Sequence, residues 1–233
     1  MLRLQVRDDF RKLAMGRSRA IPFPFLIAVV CVAILQGCSR EAGETRVAIK
    51  TSLPSGADAA HPRALSFADV ASIPDPPGVQ SKDSRYDKAR IPAFPNPFGV
   101  KEGDVVSLRA WLQVATYMGD GDYNLKVTFS AASRDHYIVC EIPDEDDVAD
   151  PALQKMVDSA RNFVKTNVLG GHDPSRQGTV LSDPPYVEVS GQLFFSDYSV
   201  GSAPTADRQG FTRATNWQVH PLLTISAAPK PTP

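Results

Sequence analysis

The chain is poor in the features that most directly disclose an activity. Its 233 residues include only three cysteines and four histidines, and none of these fall at the Cys/His spacings of a zinc site. No Gly-x-Ser-x-Gly elbow, no Cys/His pair and no EF-hand loop is present, so the common signatures of serine hydrolases, cysteine hydrolases and calcium sensors are all missing. The longest apolar stretch, residues 21–35, has fifteen positions, short of the roughly 20 that a spanning helix needs. There is no internal repeat, and no motif that calls for a cofactor.

What is there begins with that stretch. Arg17 and Arg19 precede it, and Leu35, Gln36, Gly37 and Cys38 close it, followed by Ser39. A basic region, an apolar region and a small residue before the cut form a secretory leader, and Leu-Gln-Gly-Cys resembles the lipobox of bacterial lipoproteins. The resemblance implies a signal peptide over residues 1–37 and a mature chain that starts at Cys38. That residue would carry a thioether diacylglycerol and an amide-linked acyl chain, and several acyl chains give stable membrane anchoring where one is marginal. Ser39, where Asp would favour retention in the inner membrane, implies a cell-envelope location with the outer membrane favoured. An ordinary cleaved signal or an uncleaved anchor is the alternative, and Asp8, Asp9 and Phe10 sit poorly in a basic leader, so Met15 stands beside Met1 as a start.

Loss of the leader shifts the charge balance. Residues 1–37 hold six of the 25 Lys and Arg and two of the 26 Asp and Glu, which leaves 19 basic and 24 acidic groups and a net charge near −5. Proteins that coat phosphates rely on clustered Lys and Arg, so single-stranded nucleic acid is a disfavoured partner. Cys31 leaves with the leader and Cys38 carries lipid, which leaves Cys140 with no disulfide partner and a core position as a small hydrophobe.

Residues 38–98 read as a disordered tether. Pro54, Pro62, Pro74, Pro76, Pro77, Pro92, Pro95 and Pro97 interrupt it, its apolar residues follow no period, and only residues 91–98 are expected to reach the folded part. From residue 99 to 227 the pattern changes. Val106, Leu108, Ala110, Leu112 and Val114 alternate with polar positions as in a half-buried strand. Asp120-Gly121 then marks a hairpin turn. Tyr123, Leu125, Val127 and Phe129 form the inner face of a second strand, and residues 136–142 form a third. Asp150 as N-cap, Pro151 at the first position and Gly170-Gly171 as the stop delimit one helix, with Leu153, Met156, Val157, Ala160, Phe163, Val164 and Val168 as its apolar stripe. Val187, Val189, Leu193 and Phe195 define a fourth strand with a bend at Gly191. Trp217, Val219, Leu223 and Ile225 define a fifth, and residues 228–233 a disordered tail. Three strands, a helix and two strands is the order of the OB-fold, a five-stranded barrel with its helix between strands three and four; a small α+β sheet layer is the alternative.

Four short motifs carry a further resemblance: Asp120-Gly121-Asp122-Tyr123-Asn124-Leu125; Glu141-Ile142-Pro143; Val189-Ser190-Gly191-Gln192-Leu193-Phe194-Phe195; and Trp217-Gln218-Val219-His220-Pro221. Over residues 103–227 the chain resembles a group of uncharacterised exported bacterial proteins with an OB-like domain. Members of that group often carry His where Asn124 stands, and no activity comes with the resemblance.

Two candidate sites follow. Asp122, Glu141 and His220 lie on elements that an OB-like barrel brings to one rim, where they would form a hydrolytic or metal-binding centre. A general base needs a partner within hydrogen-bond reach, so a separation above about 10 Å would end that reading. The face opposite the inferred core holds Arg109, Trp111 and Gln113 on strand one, Asn124 and Lys126 on strand two, and Tyr137 on strand three. OB-folds bind oligonucleotides or oligosaccharides across this region. Arg208 and Arg213 around Phe211 offer a second grip. A binding role for a cell-wall glycan or an envelope protein is favoured over catalysis.

Overall fold

The structure is a computed structural model and describes residues 46–232. Cys38, the leader and the first residues of the expected tether lie outside the described residues. In chain order the elements are helix α1 (Val47–Lys50), strand β1 (Arg63–Ala64), helix α2 (Phe67–Ala71), strands β2 (Val105–Tyr117), β3 (Tyr123–Thr128) and β4 (Tyr137–Ile142), helix α3 (Pro151–Phe163), and strands β5 (Thr179–Val180), β6 (Tyr186–Phe195) and β7 (Arg213–Ala227). Among the described residues no helix is long and apolar enough to cross a membrane.

Strands β2, β3, β4, β7 and β6 pair in that order, and β6 returns to β2 to close a five-stranded barrel. The β4–β7 pair is parallel and the other barrel pairs are antiparallel. The helix lies between the third and fourth barrel strands and packs against β7 and β4. This is the expected OB-like barrel, and its alternating residues meet in one core, among them Leu108, Leu125, Ile138, Val189, Phe195 and Val219. Gly191 sits at a register break in the β6–β7 ladder. A Cβ there would collide with the Pro221 carbonyl and the Leu222 backbone, so the strands can approach only over glycine.

Helix α3 starts as its sequence implies. The Asp150 carboxylate accepts from Ala152 N at 2.7 Å and Leu153 N at 3.2 Å, satisfying two of the amides that a helix start leaves open. Leu153, Val157, Ala160 and Val164 are buried. The last turn widens to a π-helix over Val164–Val168, and Gly170 and Gly171 follow with φ of 64° and 97°.

Three expectations need correction. Residues 46–98 do not run free: Phe67, Val70, Ile73, Val79 and Ile91 belong to the main core, and the Trp217 indole donates to Pro74 O at 3.0 Å. At the head of this segment the buried Arg46 donates to Phe195 O at 2.6 Å and pairs with the buried Glu102 at 2.6 Å. A Pro-rich segment needs no periodicity to bury side chains if each turn drops one into a gap on a preformed barrel. Secondly, β2 carries a bulge between Leu112 and Val114, which reverses the side chains beyond it. Val114 therefore joins Tyr137, Val139 and Phe211 in a second cluster while Ala115 enters the main core. Thirdly, Phe129 follows the end of β3 and is 72% exposed.

Candidate functional site: a sealed acid–histidine cluster and an open aromatic groove

Strand register brings the acid–histidine cluster together. Cys140 on β4 pairs with Val219 on β7 in the parallel ladder, so Glu141 and His220 follow side by side. Asn124 on β3 pairs with Glu141 across the antiparallel ladder, and Asp122 lies two residues earlier, on the same face. This face points away from the main core, whose members on these strands are the alternate residues Tyr123, Cys140, Ile142 and Val219. Asp122, Glu141 and His220 each present a ligand-type atom, all within 4.8 Å of one another. The expected convergence is therefore present in the fold.

His220 is fully buried, whereas the Glu141 and Asp122 side chains are 12% and 9% exposed. Its Nδ1 lies 2.7 Å from Glu141 Oε2 and its Nε2 lies 3.6 Å from Asp122 Oδ2. Neither ring nitrogen has an aligned hydrogen bond, so the short approach of Nδ1 to Glu141 is a polar contact off the best donor direction. Asn124 Nδ2 donates to the other Glu141 oxygen, and Asp122 Oδ1 accepts from Asp144 N at 2.9 Å. The Phe194 ring stacks at a tilt 5.7 Å from the imidazole. Arg46 lies over the same Phe194 ring at 4.6 Å, which brings the N-terminal segment onto this side of the barrel.

Burial opposes charge on Glu141, but His220, Lys50 and Asn124 outweigh it and hold the carboxyl below its usual range. Burial also pushes His220 down, against the pull of Glu141. The two directions compete, because a cationic His220 would hold Glu141 lowest. Complete burial decides for a neutral imidazole, with Asn124 and Lys50 sustaining the charge on Glu141. Beneath them Cys140 is buried and free, its thiol pushed far up by burial and then by Glu141, as suits a core residue rather than a nucleophile.

The expected binding face is divided. Arg109 and Trp111 line an open groove of about 770 Å³ together with Phe129, Tyr186 and Glu188. The cross-strand register sets Arg109 opposite Glu188 and Trp111 opposite Tyr186. Arg109 Nε reaches Glu188 Oε2 at 2.8 Å, and the Trp111 and Tyr186 rings lie 5.1 Å apart. Phe129 leans on Phe67 at 6.3 Å. Asn124 belongs to the acid–histidine cluster instead. Lys126 and Tyr137 are buried beneath residues 207–211: Lys126 Nζ pairs with Asp207, donates to Gln209 Oε1 at 2.6 Å and lies over the Tyr137 and Phe211 rings. Gln113, the extra residue of the β2 bulge, is tied down between the two parts, donating to Thr128 Oγ1 at 3.0 Å and Ala131 O at 2.9 Å. The second expected grip also closes up, since Phe211 is fully buried and Arg208 donates to Arg176 O at 2.8 Å.

Tyr186, Glu188 and Phe129 are the groove residues that the sequence reading passed over. The alternation of Val187 and Val189 does place Tyr186 and Glu188 on the outer face of β6, so their signal is present in the sequence. That they meet Trp111 depends on the β2–β6 closure. No protein-family model and no curated protein matches the chain, so its chemistry has to be read from its own residues.

Proposed function

We propose that the protein is a lipid-anchored binding module of the cell envelope, held by Cys38, which captures an extended ligand in the Trp111 groove without transforming it. The observation that carries this reading is the contrast between the two sites. The aromatic pair of Trp111 and Tyr186, flanked by Arg109 and Glu188, lines an open groove on the barrel wall, whereas the imidazole that catalysis would need is sealed. Aromatic faces beside charged groups stack sugars, bases or cationic side chains, and the negative mature charge disfavours nucleic acid. A cell-wall glycan or an envelope protein remains as the ligand.

Two experiments test it. Cys38→Ala should move the chain from the membrane to the soluble fraction; continued fractionation with the membrane would refute the anchor. Trp111→Ala, studied in the intact detergent-solubilised chain, should lose ligand capture while its thermal transition falls by no more than about 6 °C, as for the loss of one half-buried aromatic pair of about 0.5–1.5 kcal/mol. Undiminished capture would refute the groove.

A second reading rests on His220. Its Nε2 is buried without a hydrogen bond and lies 3.6 Å from a carboxylate oxygen, a little above the roughly 3.4 Å that two ligands at about 2.1 Å span across a tetrahedral ion. Glu141 beside Nδ1 stands where a carboxylate orients a metal-binding imidazole. On this reading Asp122 and His220 supply two ligands to a divalent transition metal, with water completing its shell. Cobalt(II) titration should give tetrahedral visible bands in wild type and none in Asp122→Asn; a featureless wild-type spectrum would refute it.

A further inference from the structure

The chain's own C-terminal segment forms one wall of this open groove and sets a cation over Trp111. The β6–β7 ladder extends to Ala227 opposite Val187, and one more bond follows it, Ala228 N donating to Tyr186 O at 2.9 Å. Pro229 and Pro231 then end any ladder, because proline has no N–H and fixes an extended φ. Between them Lys230 places its ammonium 5.4 Å from the centre of the Trp111 ring. Pro231 and Thr232 continue along the groove wall beside Arg109 and Glu188. The segment thus uses the groove as aromatic-lined clefts use proline-rich ligands: an extended backbone, proline rings that cannot pair as a strand, and one cationic side chain over an indole.

This hold is slight. Residues 229–232 are all exposed and Ala228 is only half-buried, so one backbone hydrogen bond and one exposed ammonium–indole contact do most of the holding. The indole face takes a cation in preference to an acidic side chain, and the Tyr186 carbonyl receives the Ala228 backbone N–H in the register that continues the β6–β7 ladder, a geometry that suits a polypeptide.

Resting on the groove reading above, we infer that the partner is an extended polypeptide segment containing proline and lysine, and that residues 228–232 occupy the site in cis as a replaceable plug. A plug whose own affinity as a free peptide is about 0.1 mM, held at an effective concentration on the order of 1 mM, weakens any competing partner by about tenfold.

The test compares three forms of the intact detergent-solubilised protein: wild type, a chain ending at Ala227, and full-length Lys230→Glu. The truncation leaves β7 whole, and Lys230→Glu covers the case in which truncation impairs folding. The probes are the peptide Ala-Ala-Pro-Lys-Pro-Thr-Pro, the same peptide with Glu for Lys, and a peptidoglycan trisaccharide. Emission of Trp111 is the readout, because Trp217 is fully buried. The lysine peptide should bind both altered forms about tenfold more tightly than wild type, and the glutamate peptide should bind none. Equal affinity for wild type and both altered forms would overturn the plug. If the trisaccharide perturbs Trp111 and the lysine peptide does not, the polypeptide inference falls while the groove reading stands. If no probe perturbs it in any form, both fall.

Discussion

Replacing Glu102 with alanine removes the group that fastens residues 46–98 to the barrel. The Glu102 side chain is fully buried and that of Arg46 is 1% exposed. One Glu102 oxygen accepts from Arg46 Nη2 at 2.6 Å and Ile91 N at 2.6 Å, and the other accepts from Phe195 N at 3.0 Å. Glu102→Ala would therefore strand a buried guanidinium without its counter-charge and leave two buried amides without acceptors. Breaking a buried pair from one side costs about 3–5 kcal/mol, and orphaned amides cost about 1–3 kcal/mol each. Some of that is recovered as water enters, so a loss of about 4 kcal/mol is expected, equivalent to about 8–16 °C in Tm for a domain of this size. Arg46→Ala should cost a comparable amount, and the double variant less than the sum, because the second change removes a group already without its partner. Urea denaturation gives the free energies. Limited trypsin digestion locates the damage, which should appear first as cleavage after Arg85 or Arg90 while the barrel survives. A loss below about 1 kcal/mol, the level of an exposed ion pair, would refute the view that this segment is an integral layer of the domain.

Gly191→Ala forces a methyl group against the Pro221 carbonyl and the Leu222 backbone, so a loss of about 1–3 kcal/mol is expected from overpacking; an unchanged urea midpoint would show that the strands can separate at no cost. Asp150→Ala deletes the acceptor for Ala152 N and Leu153 N and should cost about 1 kcal/mol, read in the same denaturation; full wild-type stability would show that the cap does not hold the helix start. Alkaline titration followed by tyrosinate absorbance should show Tyr123 and Tyr137 ionising late. Burial raises both, with the Asp173 hydrogen bond adding to it at Tyr123. A phenol raised in the folded state contributes stability below its unfolded value near 10 that is lost as pH rises beyond it, so the late ionisations should coincide with unfolding; loss of the shift in neither a Tyr123→Phe nor a Tyr137→Phe variant would refute the burial.

How much of the fold could be read in advance differs by segment. The barrel strands and α3 announce themselves because they bury one side of a regular element, and a period of two or 3.6 records which side. Val106, Leu108 and Ala110 face the core as their alternation requires. The same rule fails at Val114, because the bulge beside Gln113 is held by acceptors on Thr128 and Ala131, residues that no local window around β2 contains. It fails again for Phe67, Val70, Ile73 and Ile91, which enter the core from an irregular path whose prolines resemble those of a loose tether.

The candidate sites divide along the same line. Local chemistry marked Asp122, Glu141, His220 and Trp111 as residues of interest and determined the hairpin, the helix caps and the order of elements, since turns, caps and alternation depend on neighbours in the chain. Only the tertiary structure decided that His220 is sealed, that Lys126 and Tyr137 are covered, and that Trp111 meets Tyr186 and the chain's own Lys230. Those outcomes depend on the parallel β4–β7 register and the β2–β6 closure. Both join strands about 80 residues apart, roughly Cys140 to Val219 and Trp111 to Tyr186, and such pairings are set by the packing of the whole core.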